Sequence, residues 1–187
     1  IEFQQYDYAQ WEKNSQGSKH EAESVEFWKK NLDGASTILN FPYDFQRTDE
    51  PSGRGRGETI QLSKKLSEEL RSISKSENSS LFTTMLSVFG IQMQKYSGED
   101  DINIGLPVVY RPHSKLENII GMFVNTVVVR LRSSKEDTFR DIIHSSNEAA
   151  LNAIAHQELP FEMVVEIVNP ERSSNTNPLF QIAFAWQ

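Results

Sequence analysis

The run IGMFVNTVVVR, which spans Ile120–Arg130, constrains the fold more than any other part of the chain. Its β-branched residues predict a long strand over Met122–Leu131, yet it also carries an amide and a hydroxyl side chain, Asn125 and Thr126. Burying such groups without partners costs roughly 1 to 3 kcal/mol each, so they either bond within the fold or face an opening. Strand alternation places the two side chains on opposite faces, so at most one points into an opening unless a bulge intervenes.

Apolar residues at helical spacing predict several helices around this strand, expected over 21–32, 64–75, 81–96, 138 to about 156, and 161–168. Further strands are expected over 58–62, over 102–109 and in a closing segment where Phe180, Ile182, Phe184 and Trp186 alternate. Short strands between helices predict an α/β fold, a layered sheet covered by helices.

Local signals mark the helix ends and the buried faces. The expected capping signals are Ser63, Gly98, Thr138 with Asp141 three residues on, and Pro160. The second helix is expected to bury Leu66, Leu70 and Ile73, and the helix after Thr138 to bury Phe139, Ile142, Ile143, Ala150 and Ile154. The third helix should be the most buried, through Phe82, Met85, Leu86, Phe89, Met93 and Tyr96.

Composition excludes several classes of function. The 19 basic and 26 acidic residues give a net charge of −7, which argues against a nucleic-acid partner. The Arg-Gly repeat within 52–57 is short and lacks interleaved aromatic residues, so residues 40–57 are expected to form an exposed loop. Cysteine is absent, which excludes disulfides, thiolate chemistry and cysteine metal sites and fits a cytoplasmic location. The sequence contains no apolar run of about 18 residues, so it predicts no membrane span.

Six strings occur in an order that resembles one known family. They are YDYAQW at 6–11, FPYDFQR at 41–47, GLPVVYR at 105–111, FVNT within the strand, HQELPFE at 156–162 and ERSSNTNPLFQ at 171–181. Together they resemble the second half of a condensation domain from a nonribosomal peptide synthetase. The resemblance implies a chloramphenicol-acetyltransferase-like architecture, with two lobes in a V and a substrate tunnel where they meet.

The resemblance covers nearly the whole chain, and residues 1–187 are expected to form the C-terminal lobe alone. The family's catalytic histidines belong to an H-H-x-x-x-D-G motif in the other lobe, whereas His20, His113, His144 and His156 are isolated here. The complete domain would join a donor thioester to an acceptor amine in the synthesis of peptide antibiotics. This lobe alone is expected to be inactive and to supply a tunnel wall and docking surface.

Three residues are candidates for the tunnel: Asn125, Thr126 and Arg111. The amide of Asn125 can donate and accept, but it can equally pair with neighbouring backbone. Arg111 and Arg130 could bind a phosphate or carboxylate, although a single arginine beside a strand more often pairs with an acidic residue of its own domain. His156 lies where a helix should end, so we expect it to cap or bridge rather than act as a base.

The remaining motif residues are interpreted as architecture. They are Tyr6, Asp7, Trp11, Gly121, Arg130, His156, Gln157, Pro160, Phe161, Glu162, Asn177 and Pro178. No histidine pair or carboxylate cluster has the spacing of a metal site, so no metal or directly bound cofactor is expected.

The resemblance implies three partners: the N-terminal lobe of the same domain and the donor and acceptor peptidyl carrier proteins, with their phosphopantetheine arms. An isolated lobe is expected to expose an apolar face of on the order of several hundred Å², which permits dimerisation. Three alternatives stay open: a noncatalytic module that docks carrier proteins, an epimerisation or cyclisation relative, and an acyltransferase using coenzyme A.

Overall fold

A computed structural model describes residues 3–14, 19–45, 52–170 and 176–187. The expected loop over 40–57 is described except for residues 46–51. The string at 171–181 is described except for residues 171–175. The elements in chain order are α1 (Gln5–Asn14), α2 (Lys19–Leu32), α3 (Lys64–Ser76), α4 (Leu81–Ser97), β1 (Asp101–Val109), a 3-10 turn (Ser114–Leu116), β2 (Val124–Arg132), α5 (Phe139–Ala155) and α6 (Phe161–Val168). The mixture of helices around a small sheet confirms the α/β class.

The sheet places Asn125 near one end of a two-stranded ladder. β1 and β2 are antiparallel, with Asp101 opposite Arg132 and Val108 opposite Asn125. Both strands were expected from their β-branched residues, and both begin and end within about two residues of the prediction. β2 is buried over its centre, so Asn125 lies where the strand passes from the surface into the core.

Two strand predictions are wrong. Residues 58–62 form no strand, and Ile60 is 87% exposed. The closing segment forms a single parallel bridge between Ala183 and Gly105, through bonds of 3.0 Å from Gly105 N to Ile182 O and 2.9 Å from Phe184 N to Gly105 O. Both segments have strand composition, but a strand also requires a neighbour that satisfies its backbone groups.

The helix ends follow the local capping signals. Ser63 Oγ accepts a bond from Leu66 N, and Gly98 ends α4 in the left-handed conformation. Thr138 and Asp141 form a complete capping box at the start of α5. These features depend on residues within four positions of one another, and the sequence predicts each of them.

The buried helix faces agree less well. Leu66 and Ile73 on α3 remain 42% and 40% exposed, so the prediction of a buried stripe there is wrong. α3 instead contacts α4 through small hydroxyl side chains, with Ser74 Oγ 2.7 Å from Thr84 Oγ1. Tyr96 at the end of α4 and Phe139 at the start of α5 are also exposed. Helical spacing defines a face, but the tertiary arrangement decides what covers it.

The core lies between the sheet, α2, α4, α5 and α6. Its largest fully buried side chains include Trp28, Leu86, Ile104, Ile143 and Leu179. A second, smaller cluster of Leu116, Ile119 and Phe123 packs against Phe3 and Tyr8. This second cluster joins α1 to the segment before β2.

Arg130 fastens the sheet to the end of α2. Its guanidinium donates to Asp101 at 2.6 Å, and to the carbonyl oxygens of Asn31 and Asp33 at 2.8 and 2.7 Å. The Arg130 side chain is buried. Its pairing with Asp101 is the kind of contact, with an acidic residue of its own domain, that the sequence favours. Three chain segments therefore meet at one cation.

Substitution Gly105→Ala is expected to destabilise the protein by about 1 to 3 kcal/mol, because a Cβ there would collide with the Phe180 ring. The collision should also displace the closing segment that pairs with Gly105. Urea unfolding followed by tryptophan fluorescence measures both effects, since Trp186 belongs to that segment. Gly57→Ala is the control, because nothing lies within 4 Å of its added Cβ. Equal unfolding midpoints for the two variants would contradict the expected collision.

Candidate functional site

Asn125 ties the start of β2 to the segment that follows α5. Its Nδ2 donates to the carbonyl oxygens of Gln157 and Leu159 at 2.7 and 2.8 Å. Its Oδ1 accepts from the backbone N–H groups of Thr126 and Phe161 at 2.8 and 3.2 Å. The amide thus uses two donors and two acceptor positions, which is its full capacity. The sequence allows two interpretations of Asn125, a tunnel-facing amide or an amide paired with neighbouring backbone. The observed bonds are those of the second interpretation.

A cleft opens beside this junction. It consists of two adjoining cavities of about 620 and 390 Å³, which share Tyr8, Ala9, Glu12, Tyr110, Glu158 and Pro160. Asn125 and Thr126 line the smaller cavity. Asn125 therefore bonds internally and also borders an opening, and its contribution to a substrate tunnel stays a prediction.

Two tyrosines and two glutamates line the shared wall of the two cavities. Burial, and then the charge of Glu12, raises the pKa of Tyr8 far above its ordinary value, and the Tyr8 hydroxyl donates to Glu12 Oε1 at 3.3 Å. The pKa of Tyr110 is also raised, first by burial and then by the charges of Glu158 and Glu12. Both phenols remain protonated at neutral pH, so the wall combines neutral hydroxyl groups with carboxylates.

A buried network supports one of these carboxylates. Ser24 on α2 is completely buried, and its Oγ lies 2.8 Å from His156 Nδ1 and donates to Glu158 Oε1. The His156 ring stacks on Phe27 with 4.1 Å between centroids, and the His156 carbonyl oxygen accepts from Trp28 Nε1 at 3.1 Å. His156 thus terminates α5 and bridges to α2, and its interpretation as an architectural residue stays a prediction.

Arg111 stabilises the loop beside the cleft. Its guanidinium donates to the carbonyl oxygens of Leu116 and Ile119, the latter at 3.1 Å, and lies 4.0 Å from the centroid of the Phe123 ring. In the described part of the chain its hydrogen bonds go to carbonyl oxygens, not to an acidic side chain. Its expected contribution to the tunnel remains a prediction.

The motif residues on α1 have different surroundings. Asp7 Oδ2 accepts from Gln4 N at 2.8 Å and so helps to begin the helix. Tyr6 and Trp11 are more than half exposed, although the Trp11 ring lies 5.7 Å from that of Tyr8. Tyr8, on the same helix, packs against Phe123, with 5.0 Å between the two ring centroids.

The other architectural residues shape turns. Asn177 Oδ1 accepts from the N–H groups of Leu179 and Phe180 at 3.1 and 3.3 Å, which fixes the turn that contains Pro178. Gly121 leaves room for the Gln5 side chain, whose Nε2 donates to Met122 O at 3.3 Å. Pro160 precedes α6, and Glu162 lies in its first turn.

The sequence motifs do not identify the tyrosines and glutamates of the shared wall. The apolar spacing predicts no helix over α1, so the i, i+4 relation of Tyr8 and Glu12 is apparent only in the structure. Glu158 was recognised only within its string, and its partner Ser24 is 134 residues away. The helical spacing of Tyr8 and Glu12 was the one local signal that could have found part of this wall.

Neither metal binding nor membrane spanning is supported by the described residues. Within residues 3–14, 19–45, 52–170 and 176–187, no group of three or more histidine, aspartate or glutamate side chains could hold a metal ion. No helix in these ranges has the length and hydropathy of a membrane span.

The chain belongs to the condensation-domain family, whose model matches residues 2–187. A linear gramicidin synthase of Brevibacillus parabrevis is 39% identical over 187 residues, which are 100% of this chain and 4% of that protein. The malpinin synthetase of Mortierella alpina is 35% identical over 187 residues, which are 100% of this chain and 2% of that protein. The chain therefore spans only a small part of the curated relatives that it matches.

Two solved structures share the fold. The four-domain nonribosomal peptide synthetase holo-AB3403, bound to AMP and glycine, aligns with a TM-score of 0.88 and 30% identity over 93% of this chain and 13% of that chain. The X-domain from teicoplanin biosynthesis aligns with a TM-score of 0.89 and 24% identity over 97% of this chain and 41% of that chain. These matches confirm the expected fold class, whereas the V of two lobes and the tunnel between them stay predictions.

Proposed function

We propose that this chain is the C-terminal lobe of a nonribosomal peptide synthetase condensation domain, which joins a donor thioester to an acceptor amine. The supporting observation is an apolar band beside the cleft. Ile120 and Met122 are 91% and 77% exposed, and Tyr6, Val109 and Val124 are more than half exposed. Val109 pairs with Val124, and Met122 and Val124 line the smaller cavity. Such a band at the edge of a cleft suits cover by another lobe.

In the proposed reaction the acceptor amine attacks the donor thioester carbonyl. The C–N bond forms, the C–S bond breaks, and the thiol leaves with a proton. The reaction requires attack geometry, a path for the ammonium proton and stabilisation of the oxyanion. This chain would orient the amine and exclude water, while the histidine motif of the other lobe would handle the proton. Asn125 would act indirectly, by fixing the wall that carries Glu158.

The proposed partners are the N-terminal lobe and two carrier proteins, in a cytoplasmic synthetase. A groove of about 320 Å³ adjoins α1 and is lined by Phe3, Asp7, Tyr8, Trp11, Pro112, His113, Lys115 and Leu116. Its apolar and aromatic walls fit the methylene segments of a phosphopantetheine arm, and Lys115 could approach the phosphate. When present, the arm supplies the thioester. Dimerisation of the isolated chain stays a prediction.

We expect the chain joined to its histidine-motif lobe to form the amide between loaded donor and acceptor carrier proteins, and the chain alone to form none. Mass spectrometry of the acceptor carrier protein measures the product. The control is the joined protein with both motif histidines replaced by alanine. Amide formation by the chain alone would contradict the lobe assignment.

The alternatives predict other outcomes in the same assay. A noncatalytic docking module would bind carrier proteins while the joined protein forms no amide. An epimerisation relative would instead invert the donor stereocentre, a cyclisation relative would form a heterocycle, and a coenzyme A acyltransferase would consume acyl-coenzyme A without a carrier protein. Each of these results would replace the proposed function.

A further inference from the structure

We infer that Glu158, together with Glu12, which lines the same two cavities, recognises the amine of the acceptor as an ammonium group. This inference rests on the proposed function for the identity of the ligand. It assigns a specificity-determining part to two side chains to which the sequence motifs give no role.

Hydrogen bonds around Ser24 hold the Glu158 carboxylate in position. A serine hydroxyl has one proton, and Ser24 uses it on Glu158 Oε1. The His156 Nδ1 atom lies 2.8 Å from the same hydroxyl oxygen, and in the tautomer with a proton on Nδ1 it donates to Ser24 Oγ. Because the His156 ring stacks on Phe27 and Ser24 is completely buried, the supporting groups cannot easily move. One carboxylate oxygen is thus held in place by the core.

The second oxygen of Glu158 remains available. The Glu158 side chain is 16% exposed and lines both cavities of the cleft. His20 Nε2 lies 3.5 Å from the fixed oxygen, Oε1. Among the residues that the structure describes, no hydrogen bond reaches Oε2, although a carboxylate oxygen has room for about two. A ligand in the cleft can donate to this oxygen without displacing a protein group.

The surrounding wall suits a cation. Glu12 contributes a second carboxylate, oriented by the Tyr8 hydroxyl, and the Tyr8 and Tyr110 side chains line both cavities. The charges of both glutamates reach Tyr110, where they act in the same direction on its pKa. Among the described residues, Lys13 is the one lysine or arginine that lines the larger cavity. An ammonium has three donors and no acceptor, which matches carboxylates and aromatic faces.

Recognition of this kind would position the amine rather than deprotonate it. A carboxylate can accept a hydrogen bond from the ammonium and afterwards from the neutral amine, so the nitrogen stays in place while another group takes its proton. A neutral nucleophile such as an alcohol would gain less from the same oxygen. Glu158 would therefore favour amine acceptors, and Ser24 would be a positioning residue.

The test is a titration of the chain with glycinamide, followed by NMR chemical shifts of residues around the cleft. We expect glycinamide to bind at least about tenfold more tightly than its neutral analogue N-acetylglycinamide, and Glu158→Gln to remove that preference. Ser24→Ala should weaken glycinamide binding several-fold while Glu158 is still present. Glu26→Gln, an exposed change on the helix that carries Ser24, is the matched control for net charge and should bind as the wild type does.

Three results would overturn the inference: no binding of glycinamide, equal affinity for the two probes, or an equal loss in Glu158→Gln and Glu26→Gln. The titration needs neither a carrier protein nor the other lobe. A failed amide assay with a selective ammonium site would reject the proposed function alone. A working amide assay without probe selectivity would reject the ammonium site alone.

Discussion

Replacing Asn125 by alanine is expected to lower the free energy of unfolding by about 3 kcal/mol, because each partly buried group left without a partner costs roughly 1 kcal/mol or more. The substitution removes bonds to Gln157, Leu159, Phe161 and Thr126. In a joined two-lobed domain it should also slow amide formation by up to about 10²-fold, since the wall carrying Glu158 would shift. Urea unfolding of the chain and product formation by the joined domain measure the two effects.

Aspartate at the same position separates geometry from charge. Asn125→Asp keeps the two acceptor bonds but places a carboxylate against two carbonyl oxygens, so we expect it to destabilise the chain at least as much as alanine does. Asn118→Ala, an exposed change in a turn, should have little effect. An Asn125→Ala protein with wild-type stability and turnover would remove this residue from the site.

Replacing Arg130 by methionine is expected to cost about 3 kcal/mol, the lower end of the range for removing one partner of a buried ion pair, because the Arg130 side chain is buried whereas that of Asp101 is 36% exposed. Methionine keeps the length of the side chain but leaves the Asp101 carboxylate and the carbonyl oxygens of Asn31 and Asp33 without their donor. Arg132→Gln is the matched control. That arginine also contacts Asp101, at 3.4 Å, but its side chain is largely exposed, so we expect less than about 1 kcal/mol. Similar losses for both variants would contradict the buried clamp.

Acid titration gives the Arg130 prediction a second measurement. Burial raises the pKa of Asp101, but the hydrogen bonds and charge of Arg130, assisted by Arg132, outweigh burial and hold it below the ordinary value. A carboxyl group whose folded pKa is lowered stabilises the fold above its unfolded pKa and loses that contribution as the pH falls through the folded pKa. The wild type should therefore lose stability below about pH 4, and Arg130→Met should lose less over the same range. An unchanged acid dependence would contradict this pairing.

Local chemistry explains which elements the sequence could predict. α5 follows from Thr138, Asp141 and its apolar spacing, all within one segment, and β2 follows from its β-branched run. α1 is fixed by long-range packing of Tyr8 on Phe123, which no local pattern contains. Residues 58–62 have strand composition but no strand partner among the described residues, so propensity alone gave a wrong prediction.

The candidate site shows the same division. An amide inside a β-branched run singles out Asn125, because burial makes such a group costly. Its partners lie 32 to 36 residues away, apart from Thr126, and the Ser24 partner of Glu158 lies 134 residues away. The fold, not the spacing of motif residues, brings these groups together. The chemical type of a site residue such as Asn125 could therefore be predicted from the sequence, whereas the arrangement of the residues on the shared wall could not.

The indole of Trp28 supplies a built-in optical reporter. It is almost completely buried, and its Nε1–H is bonded to the carbonyl of the same histidine that supports Ser24. The other two tryptophans, Trp11 and Trp186, are about half exposed, so a collisional quencher such as acrylamide would suppress their emission first. The emission that remains would follow the environment of Trp28, and occupancy of the cleft could be monitored without attaching a dye.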